Sequence, residues 1–259
     1  MPTPLDLILN PVALTVFAMY AILIALEAIA PGRPLPRVRA WPLRGLASFT
    51  VFFLVSSYLP LYWDTYLGRF QLVDLSALGT LGGALVGLLA YEFCGYWYHR
   101  TIHSSDTLFR TFHQMHHSAE RLDSFSAFWF GPLDMIGWTF VTSASLVLGV
   151  GLTPEATTLV VLAVNFLGMF QHTNLRTPRW LGYLIQRPES HSIHHGRGIH
   201  RYNYADLPVF DILFGTFRNP DSYASATGFY DGASNRVLDM LLLQDVSREE
   251  PALDGQRSQ

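Results

Sequence analysis

Lysine is missing from this chain of 259 residues: all 17 basic side chains are arginine, and cysteine occurs once, as Cys94. A single thiol rules out a thiolate metal cage or an iron–sulfur cluster held by this chain alone. Charge of either sign is scarce, at 14% of residues with a net value of −3 and no basic run, which argues against nucleic acid as a partner. The HExxH pattern of helix-borne zinc hydrolases is absent as well. A lysine-free composition suits a GC-rich bacterial genome.

Apolar residues make up half the chain. Uncharged stretches cover residues 7–26, 45–63 and 135–152, each close to the roughly 20 residues that carry a helix across hydrocarbon. Two shorter ones, 75–91 and 156–171, also read as membrane-inserting, and Thr153-Pro154 makes the last two a helical hairpin turning near 151–155. The first stretch has no basic segment before it and is long, so it reads as a retained anchor and not as a signal peptide. The pattern predicts an all-α fold: an integral membrane helical bundle of four to five membrane helices with a cytoplasmic histidine-rich helical cap. It divides into residues 1–70 with the first two membrane helices, a catalytic block over 71–220, and a C-terminal part over 221–259. In that last part 237–246 has amphipathic spacing and the residues after Ser247 read as a disordered tail.

Arginine placement sets the orientation through the positive-inside rule. Arg33, Arg37, Arg39 and Arg44 fill the first loop, the second has only Arg69, the 151–155 turn has none, and everything basic from Arg100 onward falls on the side of the first loop. That side is read as cytoplasmic, in a bacterial inner membrane.

Histidine is the other abundance. His99/His103, His113/His116/His117 and His191/His194/His195 form three clusters at helical spacing, so each aims two or three imidazoles at one point. Imidazole binds iron, copper, zinc and nickel, and eight clustered histidines exceed what one four-coordinate ion uses, which points to two metals. His172, at the end of the fifth stretch, lies at the same depth and reads as the bridge between clusters; His200, beyond the helical repeat, stands equally as a tenth ligand or a solvated loop residue. Glu92 precedes His99 by seven residues on nearly the same helix face, and Asn165 stands in the same relation to His172, which makes both candidates to support a ligand histidine. Glu92 reads as accepting an imidazole N–H or pairing with an arginine near the headgroups. Asn203, Asp206 and Asp211 read as orienting ligand histidines or capping turns around Pro208 and Gly215.

The runs HRTIH at 99–103, HQMHH at 113–117 and HSIHH at 191–195, with Asn203-Tyr204 and the Asp211 to Thr216 segment DILFGT downstream, resemble the fatty acid hydroxylase/sterol desaturase superfamily. The resemblance runs from about residue 75 to Pro220. It implies a membrane-embedded di-iron oxygenase that uses O2 and two electrons to hydroxylate or desaturate a lipid. It also implies that His99, His103, His113, His116, His117, His191, His194 and His195 are ligands, with His172 as the isolated one. Some members carry a further histidine four residues after the isolated one, where this chain has Arg176. The resemblance leaves electron supply to a separate ferredoxin, cytochrome or reductase. Two rivals remain from the residues alone: a membrane metal-binding or transport protein, and a zinc-dependent membrane hydrolase.

Overall fold

A computed structural model describes residues 1–249, and the predicted tail beyond that point lies outside the described residues. Proline and its caps start most of the helices. α1 (Pro4–Ile8) opens on a Thr3/Asp6 capping box, α2 (Pro11–Ile29) on Asn10, whose Oδ1 accepts from Val12 N at 2.9 Å. Proline at the first helical turn loses nothing, because that N–H has no partner inside the helix. α3 (Trp41–Tyr58) is interrupted by Pro60 and continues as α4 (Pro60–Leu67); α5 is Gly79–Ile102. A short β1 (Val73–Asp74) pairs in parallel with β2 (Val150–Gly151), tying the chain before α5 to the turn of the later hairpin.

The cap follows: α6 (Asp106–Leu108), a π turn (Phe109–His113) and α7 (Gln114–His117) form one irregular helix capped by Ser105. α8 (Pro132–Ser143) runs on through a second π segment, Ala144–Gly149, and α9 (Pro154–His172) returns to the cap. α10 (Pro188–His194), α11 (Val209–Leu213) and α12 (Val237–Leu241) complete it. The amphipathic helix expected over 237–246 is only the five residues of α12. Met240 on it and Val246 beyond it pack into a core with Trp41, Met115 and Trp129, while Leu238, Leu241 and Leu242 face outward.

Among the described residues three helical stretches are long and apolar enough to cross a membrane: Pro11–Ile29, Trp41–Phe70 and Ser76–Ile102. α9 packs against α5 and α2 beside them. Gly83 and Gly87 make the α5 contact close, since a Cβ at Gly83 would lie 3.1 Å from Ala156 Cβ and one at Gly87 would lie 3.1 Å from Val160 Cγ2. Small residues at such a crossing replace the hydrophobic drive that lipid removes. The cap is tied to the bundle by polar anchors: Trp41 Nε1 donates to Asp123 Oδ1 at 2.9 Å, and Glu27 Oε2 accepts from Ser124 N and Oγ at 2.9 and 2.7 Å. α2, α3, α5, α8 and α9 thus enclose a space whose floor is the histidine cap.

Candidate metal centre

The helical spacings deliver what they predict geometrically. Nine imidazoles from α5, the α6–α7 segment, α9 and α10 converge in two groups, and within each group one ring nitrogen per residue lies within 4.8 Å of every other. The first group is His99, His103, His113, His117 and His194; the second is His116, His172, His191 and His195. The groups are adjacent, because His117 stacks on His195 with centroids 4.3 Å apart and interplanar angle 15°. Every member except His103 is buried.

Hydrogen bonds fix the tautomers. His99 Nδ1 donates to Tyr204 O at 2.8 Å, His194 Nδ1 to Tyr202 O at 2.8 Å, and His172 Nδ1 to Gly168 O at 2.6 Å. A carbonyl only accepts, so in each ring Nδ1 carries the proton and Nε2 presents a bare lone pair. His113 Nδ1 donates in the same way to Asp134 Oδ2 at 2.6 Å. The Nε2 atoms nevertheless crowd together: His99 to His113 at 3.0 Å, His117 to His194 at 3.0 Å, His172 to His116 at 3.0 Å and His191 to His172 at 3.1 Å. Opposed lone pairs at that distance repel unless a cation lies between them. Ligands about 2.1 Å from one ion and at right angles to each other are separated by about 3.0 Å, so the donor set fits metal. The all-imidazole chemistry suits iron, zinc, copper or nickel, and excludes the hard oxygen sites of magnesium or calcium.

The cap histidines are held neutral. Burial first, and then neighbouring imidazoles, push His103, His113, His116, His117, His191, His194 and His195 well below the usual imidazole range. Burial alone brings His200 down to about 4. Neutral imidazole is the form that ligates.

His200 falls outside both groups. Its Nδ1 lies 2.9 Å from His117 Nδ1, and its backbone bonds the His103 ring. His200, Tyr202 and Asn203 all have positive φ, at 43°, 73° and 51°. The loop they shape aims the backbone of His200 and the carbonyls of Tyr202 and Tyr204 at the rings of His103, His194 and His99. Asn203 and Asp211 hold the loop without touching an imidazole. Asn203 Nδ2 donates to Ser190 O and Arg218 O at 2.8 and 3.0 Å and its Oδ1 accepts from Arg218 N at 2.7 Å, while Asp211 accepts from Tyr204 N, Ala205 N and Thr216 Oγ1.

Two expectations need correction. Glu92 meets neither an imidazole nor an arginine: its Oε2 accepts from Asp206 N and Leu207 N, both at 2.9 Å, because the chain after the loop folds back over α5. Asn165 donates to Val161 O one turn back and leaves His172 to Gly168. Asp206 Oδ1 accepts from Gln171 Nε2 at 2.6 Å. Asp134 was missed, although a lone carboxylate at the edge of the apolar run 135–152 was a usable signal.

Above the imidazoles lies a cavity of about 490 Å³, within the range of a small-molecule site. His99, His113, His116, His172 and His191 form one end, and Phe52, Phe128, Phe130, Trp138 and Val164 line its middle. Trp138 is thus a lining residue, whereas Phe166, Met169 and Phe170 belong to the packing between α2 and α9.

Comparison with known proteins agrees with this centre. Human alkylglycerol monooxygenase is 32% identical over 137 residues, which are 50% of this chain and 29% of that protein. Very-long-chain aldehyde decarbonylase GL1-5 of Oryza sativa subsp. indica is 27% identical over 153 residues, covering 53% of this chain and 24% of the rice protein. CER1-like 2 of Arabidopsis thaliana is 27% identical over 152 residues, again 53% and 24%. The chain thus spans less than a third of the length of each of these relatives. No solved structure matches it. The fatty acid hydroxylase family model covers residues 84–216, half of the chain and every histidine described above, and the chain belongs to that family.

Proposed function

We propose that this protein is a membrane-bound di-iron oxygenase that uses O2 and electrons from a separate ferredoxin, cytochrome or reductase to hydroxylate or desaturate an unactivated C–H bond of a lipid. One observation carries the reading: two adjacent groups of neutral imidazoles, five and four strong, form the end wall of an apolar cavity inside a membrane bundle. Human alkylglycerol monooxygenase and the plant aldehyde decarbonylases, both named for lipid substrates, support the substrate class. Bound iron supplies the O2 activation that an unreactive C–H bond requires.

The chain's own residues do the rest. His99, His103, His113, His117 and His194 hold one ion and His116, His172, His191 and His195 the other. The carbonyls of Gly168, Tyr202 and Tyr204 and the Asp134 carboxylate keep the rings in the ligating tautomer and orientation. Phe130, with its ring centroid 4.6 Å from that of His116, and Trp138, 5.5 Å from His99, shield the centre from water on the cavity side. His200 and its loop act through His117 and His103.

The bundle sits with the histidine cap on the cytoplasmic side of a bacterial inner membrane, and the α8–α9 hairpin is embedded beside the three long helices. Contacts from the first loop support this: Arg33 donates to Ala224 O and Arg44 to Asn235 Oδ1 on the cap, so the arginine-rich loop and the histidines share one face.

Metal analysis of protein purified without chelator tests the reading. Two irons per chain, falling in His116→Ala, together with a +16 or −2 mass shift in a membrane lipid of expressing cells, is the expected result. One zinc per chain with no lipid change overturns it.

A further inference from the structure

The cavity has a second end. From His172 it follows α9 back to Thr157, fifteen residues and so about 22 Å at the helical rise. That distance is most of the roughly 30 Å hydrocarbon core, so the far end lies near the opposite membrane surface. There the lining changes from aromatic to polar: Asp64, Ser143, Ser57, Asn10 and Thr157 face the space. Trp63 Nε1 donates to Ser143 Oγ at 2.8 Å, and Ser143 and Trp63 both bond the half-buried Asp64 carboxylate, while its Oδ1 is shielded from solvent and has no hydrogen-bond partner. Asp64 reaches this position because Pro60 ends α3 and starts α4, turning the last two helical turns against α8.

A shielded carboxylate oxygen without a donor is costly even where the rest of the group is bonded. The imidazoles, at the other end of the cavity, do not reach it. It therefore marks where a ligand's donor belongs.

We propose that Asp64, with Ser143, binds the terminal hydroxyl or ammonium group of a single-chain lipid whose tail runs down the cavity toward the histidines. The inference rests on the oxygenase reading for its meaning and deepens it in two ways. It makes the substrate an amphiphile with a hydrogen-bond donor at its head, and it puts the carbons nearest the imidazoles at the opposite end of the chain. A fatty acid anion is rejected, since its carboxylate would face that of Asp64 across a low-dielectric space.

Equilibrium binding to the detergent-solubilised full chain tests this without turnover, using radiolabelled hexadecylamine, hexadecanol and hexadecanoate. Lysophosphatidylethanolamine serves as a fourth probe, to tell a headgroup ammonium from a free amine or alcohol. Wild-type protein is expected to bind the amine and the alcohol at least about tenfold more tightly than the acid, the scale of a hydrogen bond to a charged group. Asp64→Asn should remove the preference for amine over acid and leave the alcohol little changed. Asp64→Glu, which keeps the charge, should keep the order, and guards against misfolding of the Asn variant. If lysophosphatidylethanolamine binds as tightly as hexadecylamine, the donor comes from a lipid headgroup; if it binds far more weakly, from a free amine or alcohol. Equal binding of acid and amine by wild type, or an order unmoved in Asp64→Asn, overturns the proposal. Iron content measured on the same samples keeps the two readings apart: iron with no head-group preference sinks only this inference, and preference without iron sinks only the oxygenase.

Discussion

Asp134 and His113 form, among the described residues, the one direct carboxylate–imidazole bond at the candidate metal centre, with His113 Nδ1 donating to Asp134 Oδ2 at 2.6 Å and both side chains buried. α8 begins at Pro132, so Asp134 occupies its first turn, where the free N–H groups and the helix dipole favour a negative charge. The carboxylate fixes the His113 tautomer and makes its Nε2 a better donor to metal.

Asp134→Asn keeps the shape and weakens the acceptor. Metal affinity of the five-histidine group is expected to fall about 10–100-fold, with the other group little affected. Competition with a graded series of chelators, read as iron per chain, checks this; an unchanged affinity would show that the bond only packs the ring.

Asn203 leads to a second prediction. Its φ of 51° is one that asparagine tolerates and most residues do not, and its side chain makes three bonds to the backbone at Ser190 and Arg218. Asn203→Leu should release the loop whose carbonyls orient His99 and His194. Stability should drop by about 1–3 kcal/mol, the cost of unpaired buried polar groups, and iron should be lost from the five-histidine group first. A thermal melt with iron counts on the same sample measures both.

The spacing of the three histidine clusters was legible because helix periodicity is a sequence property, and so were the proline-started helices that carry them. The loop at 200–204 was half legible. Asn203 and Asp211 stood out as polar residues near a ligand cluster, but the groups that meet the imidazoles are the carbonyls of Tyr202 and Tyr204, and a carbonyl leaves no mark in a sequence. Glu92 misled for a related reason. Glu92 is buried on α5, but the chain after the loop returns over that helix and supplies the Asp206 and Leu207 N–H groups first. Of the membrane stretches, the three on α2, α3–α4 and α5 are long and apolar enough to span; α8, broken by its π segment, and α9, with its polar ends, depend on neighbours for their burial.

Acid should unfold the metal-free protein early. Burial holds His200 at about 4 in the folded chain against an ordinary value of 6.5, and the seven cap imidazoles are shifted in the same direction. Below 6.5 the unfolded chain therefore binds more protons than the folded one, so stability is full above 6.5 and is lost as the pH falls toward 4. Burial raises the carboxyls of Asp123, Asp134, Asp206 and Asp211, which works in the opposite sense and favours the folded state at low pH, but these are four groups against eight imidazoles. Melting temperatures of chelator-stripped protein from pH 8 to pH 4 should decline below about 6.5, and bound metal should flatten that decline by holding the imidazoles unprotonated. A profile flat across this range without metal would contradict the burial of the cluster.

His200 and His117 divide the labour at the edge of the five-histidine group. His117 directs Nε2 inward, 3.0 Å from His194 Nε2, and Nδ1 outward, 2.9 Å from His200 Nδ1. A ring can give one nitrogen to metal and use the other to be held, so this geometry fits His117 as a ligand and His200 as its support. His200→Asn removes the imidazole while keeping a residue that accepts φ near 43°, so the backbone that receives the His103 ring survives. Two irons per chain should remain, bound about tenfold more weakly, whereas His117→Ala should lose one iron outright. If His200→Asn also lost a whole iron, His200 would be a ligand, and the loop would have to close further onto the metal than its present conformation shows.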